Sequence, residues 1–136
     1  MFECIDKIKE SGLLIIWISG ELSYEAILPL LTKIEEIEKQ YPAGFKRFTD
    51  LSKVDSMPLS SEQIKTITER RIAVYKGPSV RSAFLADEML HFGLVRIYTA
   101  MMEPYSPVDV DVFYELKKCA DWLGIDQEKI SNGLKI

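Results

Sequence analysis

One uninterrupted apolar run, residues 13–18 (LLIIWI), constrains the fold of this chain most, and Gly12 and Gly20 stand close to its two ends. Successive side chains of a strand point to opposite faces of a sheet, so a strand that is apolar at every position has to be covered on both faces. The run therefore predicts a buried central strand in a sheet that carries helices on both sides. It is too short to cross a bilayer.

Alternating strand and helix patterns surround this run. They predict strands at residues 2–9, 13–18, 45–51, 80–86 and 108–113, and helices at residues 23–40, 60–76, 88–102 and 115–123. This order predicts an α/β fold: a mostly parallel five-stranded sheet with an N-terminal β-hairpin, right-handed crossovers and about four helices. A chain of 136 residues fits one domain, so residues 1–136 are expected to form a single domain.

Local signals mark several boundaries of these elements. Residues 10–12 (ESG) are typical of a hairpin turn between the first two strands. Pro29 is expected to separate a first turn from the main part of the first predicted helix, because proline is tolerated only near a helix start. Ser60 and Gln63 have capping-box spacing at the start of the second predicted helix, and Asp87 is expected to cap the third.

The composition argues against several classes of function. A net charge of -4 without a dense basic run argues against nucleic-acid binding, which depends on neutralising phosphates. His91 is the single histidine and Cys4 and Cys119 are far apart, so a Cys/His zinc site is not expected, nor is any other cofactor. Two lone cysteines, and an N-terminal segment without a leader-like apolar core, predict a cytoplasmic location and no transmembrane segment.

Familiar catalytic motifs are absent, since the chain has no P-loop, no GxGxxG and no GxSxG sequence. Asp50 is predicted to end the third strand, where functional loops gather in open α/β sheets. Ser60 and Ser61 begin the next helix, and a phosphoserine there would place negative charge at the positive end of the helix dipole. A second interpretation stays open, in which Ser60 is an ordinary helix cap and Asp50 an ordinary turn residue.

The third predicted helix is apolar around most of its circumference, a pattern typical of a helix buried on more than one side. Gly93 lowers helix stability but allows another backbone to approach closely. The helix is expected to line an apolar pocket or a dimer interface, with Arg96 and Tyr98 at the polar edge; plain packing against the sheet is the alternative. The candidate residues are Met89, Phe92, Gly93, Arg96, Ile97, Tyr98 and Met101.

Several short pieces of the sequence, in order, resemble the STAS domains of anti-anti-sigma factors, and most closely the small bacterial STAS/Sec14-like proteins. The pieces are residues 20–23 (GELS) followed by Pro29, Asp50, residues 92–98 (FGLVRIY), residues 112–113 (VF) and residues 120–123 (ADWL). The resemblance extends over most of the chain and implies a STAS-like topology. Its Sec14-like side implies a buried apolar pocket.

The resemblance also implies a phosphoacceptor position. Residues 50–54 (DLSKV) match the segment that precedes the phosphorylated motif of the family, and Ser60 coincides with its phosphoacceptor serine. Proline replaces the aspartate of the motif at residue 58, and serine replaces its glycine at residue 61.

Three functional hypotheses follow. The first is a non-catalytic regulatory or protein-interaction module that forms a homodimer or binds a regulatory protein. The second is a carrier or sensor that binds a small apolar or amphipathic ligand between the second and third predicted helices, in a cavity lined by Met89, Phe92, Ile97 and Met101. The third, ranked last, is an enzyme that uses Asp50, a serine of the second helix and the only histidine.

Overall fold

The computed structural model of the chain describes residues 1–105 and 107–134. The strands are β1 (Phe2–Lys7), β2 (Leu13–Glu21), β3 (Lys46–Ser56), β4 (Val80–Leu85) and β5 (Val108–Phe113). The helices are α1 (Ile8–Ser11), α2 (Tyr24–Gln40), α3 (Ser61–Val74), α4 (Met89–Met102), α5 (Leu116–Leu123) and α6 (Gln127–Leu134). None of these helices combines the length and the apolar character needed to span a bilayer.

The five strands form one sheet in the order β1-β2-β3-β4-β5. β1 is antiparallel to β2, and every other neighbouring pair is parallel. The predicted α/β class, with a mostly parallel five-stranded sheet and one antiparallel N-terminal strand, is confirmed. The described residues contain six helices rather than about four, and the two additional helices are the short segments α1 and α6.

The apolar run lies in β2 at the centre of the core, as predicted. Residues 13–16 are each no more than 1% exposed. Leu14 and Ile16 pack in the larger core beneath α2, α3 and α4, whereas Leu13 and Ile15 pack against α5 and α6 on the other face. Each such buried side chain contributes roughly 1.5–3 kcal/mol to the free energy of folding. β2 therefore stabilises the packing of helices on both faces of the sheet.

Helices cover both faces of the sheet. α2, α3 and α4 each connect two parallel strands that are neighbours in the sheet, and they share one core on one face. Right-handed crossovers that advance in a single direction place their helices on the same side of the sheet, which accounts for this arrangement. α5 and α6 follow the last strand and pack on the opposite face.

Two predicted turns differ from the structure. α1 replaces the expected hairpin turn, and it ends at Gly12, whose φ of 71° lies in the left-handed region that glycine adopts without strain. Pro29 does not divide α2, which is continuous from Tyr24 to Gln40. The proline is exposed and lies in the second turn of the helix, where it lacks the N–H that would donate to the Glu25 carbonyl but does not interrupt the helix.

β3 extends five residues beyond the predicted end, to Ser56. The extension pairs with β2 alone, because β4 ends at Leu85, opposite Asp50. The sequence of residues 52–56 is mostly polar, which is typical of a loop. In the structure these polar residues flank the buried Val54 within the strand. The prediction that Asp50 ends the third strand was therefore wrong.

Candidate functional site

Ser60 is the N-cap of α3, as its spacing predicts. Its Oγ accepts a hydrogen bond of 3.1 Å from the Gln63 N–H, and Gln63 Oε1 accepts one of 3.0 Å from the Ser60 N–H. This reciprocal pair satisfies two backbone donors that the first helical turn leaves without partners. Ser60 and Ser61 are both exposed, and a phosphoacceptor role for either stays a prediction.

Asp50 is buried, and its carboxylate is held locally. Oδ1 accepts hydrogen bonds from the backbone N–H of Ser52 at 2.9 Å and from its hydroxyl at 2.6 Å. Strand alternation places Asp50 on the same face as Phe48, which packs against α5, whereas α3 covers the other face. Across residues 1–105 and 107–134, no hydrogen bond joins Asp50 to the predicted serines.

His91 lies in the first turn of α4 and faces a carboxylate rather than a serine. The cap of this helix is Glu88 and not Asp87: Glu88 Oε2 accepts a 3.0 Å hydrogen bond from the His91 N–H and lies 3.6 Å from His91 Nε2. Hydrogen bonds from the N–H groups of His91 and Leu90 lower the pKa of the Glu88 carboxyl. The residues of the catalytic hypothesis are therefore not assembled into one site.

α4 is not buried on more than one side, and that prediction was wrong. Its buried residues are His91, Val95, Thr99 and Met102, which form a single stripe. Met89 is 76% exposed and Leu90 74% exposed. The reason is the position of α4 beside β5, which is an edge strand, so no further strand lies beneath the outer half of the helix.

The outer side of α4 carries four exposed residues with spacings of three, four and three, which we call the α4 seam: Leu90, Gly93, Ile97 and Ala100. An ideal Cβ built at Gly93 would meet nothing within 4 Å, so the backbone is open to contact there. Arg96 flanks the seam and donates a 3.0 Å hydrogen bond from Nη1 to Asp111 Oδ1.

At the N-terminal end of the helix, aromatic packing extends this apolar surface. Phe92 stacks on Tyr114 with ring centroids 4.0 Å apart and an interplanar angle of 5°. Tyr114 is half exposed and Met89 strongly exposed. Of the seven predicted residues on α4, Met89, Gly93, Arg96 and Ile97 are exposed, whereas Phe92, Tyr98 and Met101 are partly buried.

A separate feature lies under the helices: an apolar cavity of about 110 Å³ between the sheet and α2, α3 and α4. Its walls are aliphatic side chains of all three helices and of β2 and β3. The polar residues among its lining residues are Arg47, Thr49, Arg71 and Tyr98. The lining of the cavity is therefore mainly apolar and includes four polar residues.

The cavity does not have the predicted lining. Met89, Phe92, Ile97 and Met101 were expected to form it, but the residues of α4 that line it are Leu94, Val95 and Tyr98. The ring of Tyr98 packs edge-on against Phe84 of β4, with centroids 6.0 Å apart. Tyr98 is thus the predicted α4 residue that reaches the cavity.

Buried charges meet at one end of this cavity. Glu38 of α2 accepts hydrogen bonds from Arg71 Nη1 at 3.0 Å, from Arg71 Nη2 at 2.5 Å and from Arg47 Nη1 at 3.1 Å. The side chains of Glu38 and Arg47 are each 8% exposed, and that of Arg71 is 2% exposed. Arg70 forms a bidentate pair with Glu35 at 2.7 and 3.1 Å on the outer side of this cluster.

The two inner arginines differ in their electrostatic environment. Burial lowers the pKa of Arg47, the positive charge of Arg71 lowers it further, and Glu38 compensates only in part. The pKa of Arg71 is raised: desolvation opposes this, but the hydrogen bonds that Arg71 donates to Glu38 and its electrostatic interactions with Tyr98, Glu38 and Glu35 outweigh it. Arg47 is therefore the less well compensated cation.

The sequence interpretation missed this cluster, although a signal was present. Arg47 interrupts a strand at a position whose neighbours in alternation, Phe45 and Thr49, are buried. Arg71 follows Ile64 and Ile67 at helical spacing on the buried face of α3. A charged residue in the core-facing register of an element is nearly always paired, so these two positions indicate a buried ionic site.

No protein-family profile matches the chain, and no curated protein matches it. Solved structures that are similar to it include two that can be compared in detail. One is an uncharacterized protein of the DUF3478 family with a SpoIIAA-like fold from Shewanella loihica PV-4, with a TM-score of 0.53, 18% sequence identity, and coverage of 90% of this chain and 93% of that one.

The other is the anti-sigma factor antagonist SpoIIAA in its unphosphorylated form, with a TM-score of 0.47 and 17% identity, covering 67% of this chain and 78% of that one. The predicted STAS-like resemblance is confirmed at the level of the fold. This chain has a SpoIIAA-like, that is STAS-like, fold.

Proposed function

We propose that this chain is a non-catalytic protein-interaction module that forms a homodimer through the α4 seam. The observation that carries the proposal is an exposed row of Leu90, Gly93, Ile97 and Ala100 on a helix whose opposite side is packed in the core. A narrow apolar row with alternating spacings of three and four is the pattern with which one helix packs along another.

Gly93 gives this surface its particular suitability for self-association. The open space above its Cα lets a second helix approach closely, and Leu90 and Ile97 stand on either side of it. About a two-fold axis near Gly93, the large residues of one copy would pack beside the small residues of the other. Such a contact is isologous, the commonest form of dimer interface.

The non-catalytic part of the proposal rests on the three groups of the catalytic hypothesis. Asp50 is engaged by Ser52, Ser60 caps α3, and His91 lies beside Glu88. A serine nucleophile would need a base within hydrogen-bond reach, and the nearest partner of each group is a structural one. The SpoIIAA-like fold suits a module that works through partners.

Sedimentation velocity over a wide range of protein concentration tests the homodimer. We expect the wild type to shift from monomer to dimer as concentration rises, and Gly93→Lys to remain monomeric, because its charges would face each other across the two-fold axis. The Cβ of the lysine would meet nothing within 4 Å in its own protomer. Ala73→Lys, at an exposed position of α3, is the matched control and should dimerise like the wild type.

A wild type that stays monomeric at every accessible concentration would refute the homodimer. If the wild type dimerises and Gly93→Lys does so equally well, the interface lies elsewhere and the assignment of the seam is wrong.

A second function is favoured by a separate observation, the cavity beneath α2, α3 and α4: the module binds a small apolar or amphipathic ligand. An apolar cavity of about 150 Å³ binds benzene in a well-studied engineered protein, so a space of about 110 Å³ is of the right order for a small ligand.

Titration with benzene tests this second function. We expect benzene to cause saturable shifts of the backbone amide signals of the lining residues. Leu94→Phe, which fills the cavity from α4, should abolish them, and their absence in the wild type would exclude this function.

A further inference from the structure

The wall of the cavity carries two buried guanidinium groups, which an apolar ligand alone would not require. Arg47 and Arg71 both line the cavity, together with Tyr98. Tyr98 also contributes to the electrostatic environment of both arginines. A buried cation without a partner is costly, so the number of anions nearby matters.

The charges in this cluster do not balance. Arg47, Arg70 and Arg71 contribute three positive charges, and Glu35 and Glu38 contribute two negative charges. Glu35 forms a bidentate pair with Arg70 and also lies 3.7 Å from Arg71 Nη1, whereas Arg47, within the described residues, forms an ion pair with Glu38 alone and shares it with Arg71. The cluster therefore has room for one further anion.

The geometry shows where that anion would bind. Arg47 Nε donates to Ser82 Oγ at 3.3 Å and Nη1 donates to Glu38, whereas Nη2 has no acceptor within residues 1–105 and 107–134. Burial and the charge of Arg71 lower the pKa of Arg47, and an anion beside Arg47 would oppose both effects. The Nη2 group belongs to a side chain that lines the cavity, and Tyr98, which lines the same cavity, carries a second donor in its hydroxyl.

We infer that the cavity binds a monocarboxylate with a short apolar tail, the carboxylate on Arg47 and Tyr98 and the tail among the aliphatic side chains. This inference rests on the second proposed function and adds the chemical class of the ligand. A guanidinium N–H group forms a charge-assisted hydrogen bond to a carboxylate oxygen, which is shorter and stronger than a hydrogen bond between neutral groups. The cavity volume limits the tail to roughly four to six carbons, by comparison with the benzene-sized cavity above.

The experiment compares pentanoate with pentanamide, which has the same tail and nearly the same shape but no charge. Both are titrated into the isotopically labelled wild-type protein, and affinity is read from the amide signals of cavity-lining residues. We expect pentanoate to bind at least about tenfold more tightly, the difference typical of a charge-assisted over a neutral hydrogen bond.

Two variants distinguish the contacts of the protein with the carboxylate from its contacts with the apolar tail of the ligand. Arg47→Gln should lower the affinity for pentanoate to that of pentanamide and leave pentanamide unchanged, whereas Leu94→Phe should weaken both. If Arg47→Gln does not fold, Tyr98→Phe replaces it, since it removes only the hydroxyl and retains the ring against Phe84. Tyr98→Phe should weaken pentanoate severalfold and pentanamide not at all.

Equal affinities of the wild type for the two compounds would overturn the carboxylate assignment. They would not contradict the proposal that the cavity binds a small apolar ligand. Failure of both compounds and of benzene to bind would refute the cavity function as well. A preference for pentanoate that survives both Arg47→Gln and Tyr98→Phe would place the carboxylate elsewhere and overturn the inference.

Discussion

At the scale of single residues, Ser60 shows which kind of prediction sequence spacing supports and which kind it does not. The spacing of Ser60 and Gln63 predicted a capping box, and the structure contains both of its hydrogen bonds. A cap depends only on neighbours within one helical turn, so sequence is sufficient to predict it. Phosphorylation depends on a kinase that must recognise the surface, and spacing carries no such information.

Ser60→Ala should lower the free energy of unfolding by about 1 kcal/mol, because the Gln63 N–H loses its acceptor at the helix start. Urea unfolding measures this loss. Ser60→Asp should be close to the wild type, since aspartate caps as well as serine does. Ser61→Ala is the matched control and should also be nearly neutral; a loss as large as that of Ser60→Ala would contradict the assignment of the cap.

Cys119 of α5 predicts a dependence of stability on pH. Burial, and to a lesser extent the charge of Asp50, raises the pKa of this thiol from 9.0 to about 12. Between these values the unfolded chain loses the proton and the folded chain keeps it, so stability falls as pH rises. The contribution is fully present below pH 9 and is lost towards pH 12.

Urea unfolding at pH 8 and pH 10 should therefore show a smaller drop in stability for Cys119→Ala than for the wild type. The difference has an upper limit of about 1.4 kcal/mol for each pH unit within the window. Identical drops in the two proteins would show that the thiol of Cys119 ionises equally easily in the folded and unfolded states.

At the scale of elements, the bounds and burial of a strand or helix were predicted correctly where its own sequence pattern determines them. They were predicted wrongly where neighbouring elements in the fold determine them. β5 occupies the predicted residues Val108–Phe113, and β2 is buried as its continuous apolar run required. The extension of β3 was missed because its pairing is provided by β2 and not by its own composition. The burial of α4 was overestimated because the sequence pattern of this helix contains no information that the strand beneath it, β5, lies at the edge of the sheet.

Two helical glycines should respond in opposite ways to the same substitution. Gly93→Ala should raise the free energy of unfolding by roughly 0.5–1 kcal/mol, because alanine favours the helix and its methyl group meets open space. Gly133→Ala in α6 should lower stability, because the new Cβ would clash with Ile15 Cδ1. Chemical unfolding of dilute protein measures both, and a stabilised Gly133→Ala would show that α6 does not pack against β2 as described.

At the scale of the whole molecule, one carboxylate joins three elements. Glu38 of α2 binds Arg47 of β3 and Arg71 of α3, so helix, strand and helix converge on one group. The partners lie 9 and 33 residues away in sequence. Only the assembled fold brings them together, which is why charged residues in core register could be noticed in the sequence but not paired with one another.

Glu38→Ala should lower the free energy of unfolding by about 3–5 kcal/mol, since it leaves two buried guanidinium groups with too little negative charge. Glu36→Ala, at an exposed position of the same helix, is the control and should change stability by less than about 0.5 kcal/mol. Thermal and urea unfolding together measure the effect. A Glu38→Ala variant as stable as the control would mean that the two arginines find other partners.

The strands lie side by side in the order in which they occur in the chain, and this has a consequence for synthesis on the ribosome. Each strand that leaves the exit tunnel finds its pairing partner already made, and no strand has to be inserted between two that have paired. The sheet can therefore grow from one end to the other while translation continues, with each emerging helix closing over the strand pair that precedes it. Vectorial growth of this kind shortens the time for which a nascent chain exposes an unpaired apolar strand such as β2, the interval in which aggregation competes with folding.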